Sequence, residues 1–189
     1  MYYNPFDELL ISIDQAGGFV NSHAHFDRAY TVDRQSMEDV VYSQLQEKWQ
    51  LVDEYKLKAT QEDYERSITT ALLGQVSMNT HKCFSFIDLD PVVGWKAIKA
   101  ANKVQAELQD KVTFRYGFQT LKGVLKEECK SMIEVSIDKG LVNALGSLPA
   151  ADYDPFLHLE YLMDLSTRSG LPLHVHVDQN RIPTQYGSI

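Results

Sequence analysis

Gly18-Phe19-Val20-Asn21-Ser22-His23-Ala24-His25-Phe26-Asp27-Arg28 is an apolar, strand-like run that ends in two histidines one residue apart. A strand projects residues i and i+2 to the same face, so His23 and His25 aim at one spot, with Asn21 on the same face. A second run of this kind, Leu171-Pro172-Leu173-His174-Val175-His176-Val177-Asp178-Gln179, puts His174 and His176 on one face and Leu173, Val175 and Val177 on the other. Two neutral imidazoles fixed on one strand are half of a tetrahedral or five-coordinate metal site, and a third from His176 leaves room for one more ligand and a water. His174 competes with His176, but alternation aims it one layer deeper, where an interior hydrogen-bonded histidine is expected.

Between these runs, strand and helix patterns alternate, which predicts a parallel sheet covered by helices. Strands are expected at 18–25, 82–89, 112–118, 142–148 and 171–177. Polar helical stretches are expected at 36–55 and from Thr60, an N-cap followed by acids, to about 79. Further helices should span 94–109 and 126–139, the latter closed by Gly140. A last one starts at Asp154-Pro155 and stops at Gly170, with Leu157, Tyr161, Leu162 and Leu165 as its apolar face. In the third strand, Thr113, Arg115, Gly117 and Gln119 oppose Val112, Phe114, Tyr116 and Phe118. The apolar faces suit contact with helices and the polar faces the inside of a barrel, where residues at the C-terminal strand ends are the reactive ones.

Composition narrows the classes. The 189 residues suffice for one domain with a real core, and 44% hydrophobic with 23% charged residues is ordinary for a globular chain. A net charge of -8 argues against a nucleic-acid partner. The sequence shows neither an apolar run of membrane-spanning length nor a leader pattern, so no membrane partner is expected. Cys83 and Cys129 form neither a disulfide framework nor a metal pair, and a cytoplasmic setting is the default.

The His-Ala-His-Phe-Asp-Arg motif, the Ile-Asp-Leu-Asp-Pro run at 87–91, Phe-Gln ending at Gln119 and Val-His-Val-Asp-Gln around His176 together resemble the cytosine-deaminase-like branch of the amidohydrolase superfamily, over residues 18–178. The resemblance implies an α/β fold, a TIM-type (β/α)8 barrel, of which residues 1–189 form a partial hydrolase domain covering about the first five βα units. It implies one divalent metal ion, zinc or iron, on His23, His25 and His176, and a small-molecule substrate contacted by Gln119 and Gln179. The reaction implied is hydrolysis of a non-peptide carbon–nitrogen bond by a metal-activated water. The strand around Asn143–Leu148 offers no lysine or glutamate to bridge a second metal. Three departures bear on activity. The family's histidine on strand 6 and aspartate on strand 8 fall beyond Ile189. Its proton-shuttling glutamate is replaced by Gln179, which cannot titrate. Full-length members usually build a small β-sandwich from both termini, and only 17 residues precede the first expected strand here. The expectation is a truncated portion of a longer enzyme that binds metal weakly and turns over poorly alone, with a non-catalytic remnant as the alternative. Open edges at the first and fifth strands predict a homo-oligomer. Asp27 and Asp178 are expected to orient ligands or cap loops, Arg28 to bind substrate oxygen or pair with an acid, and Asp88 to make a structural hydrogen bond. His81 and His158 are expected on the solvated surface.

Overall fold

A computed structural model describes residues 4–31, 41 and 45–177. Strands β1 (Phe19–Asn21), β2 (Thr80–Asp88), β3 (Thr113–Gln119), β4 (Leu145–Ser147) and β5 (Leu173–Val175) form one all-parallel sheet in sequence order. Helix α1 (Pro5–Gln15) precedes β1, and α2 (Leu45–Lys58) and α3 (Gln61–Ser77) lie between β1 and β2. Helices α4 (Lys96–Glu107), α5 (Glu127–Asp138) and α6 (Pro155–Ser169) make the remaining crossovers, with 3-10 turns at Phe26–Arg28 and Pro149–Ala151.

Local chemistry explains where the helices begin. Thr60 accepts from the Asp63 amide while the Asp63 carboxylate accepts from the Thr60 amide, closing a capping box on α3. Asp154 accepts from the Phe156 and Leu157 amides ahead of Pro155, and Gly170 ends α6 at a φ of 71°. Helix α1 is an element the sequence reading left out. Its signals are Asn4 capping the Phe6 amide, Pro5 in the first turn, and Asp7 and Glu8 beside the helix N-terminus.

The core lies between the outer face of the sheet and the helices. Cys83, Ile87, Phe114, Tyr116, Phe118 and Leu145 meet Ile68 and Leu72 of α3, Ile98 and Val104 of α4, Ile133 of α5 and Leu162 of α6. The apolar face expected for α6 is realised through Leu162 and Leu165, whereas Leu157 is exposed.

On the inner face, register places Phe84, Phe86 and Asp88 beside Arg115, Gly117 and Gln119, and Gly146 beside His174. Gly146 makes room here. A Cβ at this position would fall on the Phe118 carbonyl and press on the Phe86 ring, which is wholly buried. Neighbouring strands sit about 4.8 Å apart, so a flat five-stranded sheet would separate its outer strands by about 19 Å. The His23, His25 and His176 ligand atoms nevertheless lie within 4.8 Å of one another. The sheet is therefore curled into an arc, as half of a barrel is.

Candidate metal centre

β1 is shorter than expected and stops at Asn21, so both histidines of the first motif stand on the segment after it. That segment still runs along β2. The Phe86 amide donates to the Ala24 carbonyl at 2.8 Å, and Ser85 Oγ donates to the same oxygen and accepts from the Phe26 amide. The alternation survives the end of the strand, and the His23 and His25 rings remain neighbours, 5.3 Å between centroids. His176 follows β5 and closes the triangle at 5.0 Å from His23 and 5.6 Å from His25. The Phe86 ring forms the floor under all three. His174 points one layer deeper, stacked on Phe84 at 5.1 Å.

Hydrogen bonding distinguishes the ring nitrogens. His176 Nδ1 lies 3.1 Å from the Ser147 carbonyl, which can only accept, so Nδ1 carries the proton and Nε2 a free lone pair. His176 Nε2 and His25 Nδ1 are both buried without a hydrogen-bond partner. Burial, then the neighbouring Arg28 and His176, lowers the His25 pKa to about 4. Burial also lowers that of His176. Both rings are neutral near pH 7, the form that binds a metal ion. Gln119, at the end of β3, is buried with its Oε1 unpartnered on the same inner face.

A buried charge cluster borders the triad. Arg28 binds both oxygens of Asp88, so of its two expected roles it takes the pairing with an acid. Lys56 reaches in from α2 to Asp88 at 3.1 Å and Asp90 at 2.6 Å while only 1% exposed. Burial acts against ionisation of Asp88, but Arg28 and Lys56 outweigh it and hold its pKa at about 2. Asp27 accepts from the Asp88 amide at 2.8 Å through one oxygen and has no partner on the other. Burial and the Asp88 charge raise its pKa to about 7.

No protein-family model matches the chain. It is 32% identical over 177 residues to an uncharacterised protein of Haemophilus influenzae, across 92% of this chain and 63% of that protein. Among solved structures, 5-methylcytosine deaminase from Klebsiella pneumoniae, liganded with 5-fluorocytosine, superposes with a TM-score of 0.76 at 20% identity. The match covers 88% of this chain and 40% of the deaminase. N-isopropylammelide isopropylaminohydrolase from Burkholderia multivorans superposes at 0.64 and 20% identity, over 85% of this chain and 40% of that one. Both are amidohydrolase superfamily enzymes. The chain shares the fold of that part of each enzyme. It spans less than two thirds of the length of each relative.

In this half-barrel, one expectation is corrected. His158 is fully buried, because α6 turns it toward the sheet rather than to solvent. Its Nε2 lies 2.9 Å from Ser147 Oγ and its Nδ1 2.6 Å from Asp152. Asp152 also accepts from the Val124 and Leu125 amides. His81 is half-exposed and pairs with Asp14. Sequence reasoning missed Lys56 and the Asp152–His158–Ser147 chain. For the latter a signal existed: a serine, an aspartate and a histidine within twelve residues, at a strand end and the helix after it. Asp178 and Gln179 lie outside the described residues. Among the described residues no helix is long and apolar enough to cross a membrane.

Proposed function

We propose that the protein is a metal-dependent hydrolase of the amidohydrolase superfamily, acting on a non-peptide carbon–nitrogen bond of a small cyclic amidine or amide. The observation that carries this reading is the convergence of three imidazoles from opposite ends of a curled sheet, with two buried ring nitrogens unpartnered. A buried polar atom without a partner destabilises by about 1–3 kcal/mol, which coordination would offset. The donor set fits a divalent ion, zinc or iron, held by His23, His25 and His176. Such an ion, when bound, lowers the pKa of water from about 15.7 toward 7 and so supplies a nucleophile at neutral pH. The chain's own residues do the rest. The Ser147 carbonyl orients His176. Phe86 closes the site from below. Gln119 and Gln179 contact the substrate ring as amide donors and acceptors, which suits a heterocycle edge. The solved neighbours are named for removing amino and isopropylamino groups, and loss of an amine or ammonia is the reaction class proposed here. The two free, buried cysteines fit a reducing, cytoplasmic setting.

The test is metal content by mass spectrometry after reconstitution with zinc or iron. It is joined to ammonia release from a panel of pyrimidines, triazines and pterins. The protein should take up zinc or iron at equilibrium, with low affinity, and His23→Ala should lose that uptake together with any turnover. A wild-type chain that takes up neither metal at millimolar free ion overturns the reading.

A further inference from the structure

Asp152, His158 and Ser147 have the make-up of a hydrolytic triad, but all three side chains are buried and Ser147 faces α6, across the sheet from the histidine triangle. No substrate reaches that hydroxyl. The chain's polarity points to another role. Asp152 only accepts, and the Val124 and Leu125 amides hold it at 2.7 and 3.3 Å. Gly123, at a φ of 76°, lets that loop close, since a Cβ there would lie on the Asp152 carboxylate. With Asp152 as acceptor, His158 Nδ1 carries its proton and Nε2 presents a lone pair to the Ser147 hydroxyl. The backbone carbonyl of this same Ser147 accepts from the His176 amide at 2.9 Å and from His176 Nδ1 at 3.1 Å. One polar chain thus joins the loop after β3, the turn after β4, α6 and the end of β4 to the histidine that follows β5.

We propose that Asp152, His158 and Ser147 are positioning residues that fix His176 in its Nδ1–H tautomer and leave Nε2 as the ligand atom. The consequence for metal rests on the function proposed above; the consequence for the tautomer does not. Both are measured on the full chain. Long-range proton–nitrogen correlation of the ¹⁵N-labelled, metal-free protein at about pH 8 reads each imidazole's tautomer. Competition with a chromophoric chelator reads zinc affinity. Wild type should show a single Nδ1–H form at His176. Ser147→Ala and Asp152→Asn should mix the tautomers and weaken zinc about 10- to 100-fold, the usual effect of disturbing what orients a ligand. Ile133→Val, a buried change on α5 outside the polar chain, controls for general destabilisation and should leave both readouts unmoved. If Ser147→Ala does not fold, Asp152→Asn decides. Wild-type tautomer and affinity in the variant or variants that fold would overturn the proposal while leaving the metal reading intact. A tautomer shift in the variants, beside a wild-type chain that takes up no zinc, would uphold the positioning role and overturn the metal reading instead.

Discussion

Asp27 stands two residues beyond His25, with one carboxylate oxygen on the Asp88 amide and the other buried without a partner. Its pKa of about 7 in the fold, against 3.8 as the ordinary value, means that the folded chain keeps a proton the unfolded chain has lost. The stability this contributes is present at low pH and is lost as pH rises toward 7. Asp27→Asn preserves an acceptor for the Asp88 amide and removes the titration. In thermal unfolding of the metal-free protein, the variant's advantage over wild type should grow between about pH 4 and 7, by at most about 1.4 kcal/mol per unit, and level off above. His25 works in the opposite sense, its depressed pKa removing stability as pH falls from 6.5 toward 4, but it is common to both chains and cancels. A wild type more stable than the variant at pH 8 would refute this account. The histidines themselves were legible because alternation along one segment is a local rule, and it held even where β1 ended early. His158 was not, because its burial is decided by Ser147 and Asp152, brought to it by the packing of α6 rather than by any periodicity within the helix.

Helix α2 is fastened to the sheet by charge as much as by apolar contact. Lys56 reaches Asp88 and Asp90, Asp53 pairs with Lys122 after β3, and Lys96 of α4 donates to the Lys56 and Ala59 carbonyls at the helix end. Removing one partner from a buried ionic cluster leaves charge uncompensated, typically at about 3–5 kcal/mol. Lys56→Met should therefore destabilise the chain by about that amount in urea unfolding, because Asp90 would lose its cation and Asp88 would keep only Arg28. A loss below about 1 kcal/mol would mean the cluster is already compensated without Lys56. Element by element, β2 to β5 and the caps of α3 and α6 could be read from sequence because each is specified by neighbours a few residues away. The docking of α2 could not, since Lys56 and its partners Asp88 and Asp90 lie more than thirty residues apart and a lysine on a polar helix reads as solvated. Part of the helix expected at 36–55 lies outside the described residues, and its continuous described run begins at Leu45.

At the scale of the whole molecule, the three histidines meet because the sheet is bent. Phe86 fills the concave face, Gly146 yields to it, and the arc carries His176 to His23 and His25 across three intervening strands. The bend was not legible in sequence, where each strand declares its faces but not the angle to its neighbour. The same arc leaves β1 and β5 each paired on one side only among the described residues. Both outer strands carry exposed apolar side chains: Phe19 and Val20 on β1, Val175 on β5 and Val177 just past it. Unpaired backbone flanked by apolar surface is a template for strand addition, open along β5 and interrupted on β1 by the irregularity between Phe19 and Val20. The 189-residue chain should therefore self-associate at micromolar concentrations, read as a mass above one protomer by light scattering. Val20→Lys combined with Val175→Lys places charge on both edges and should return the chain toward a monomer while changing its unfolding free energy by no more than about 0.5 kcal/mol per site, since both positions are exposed. A wild-type chain that stays monomeric as its concentration is raised would refute the edge argument.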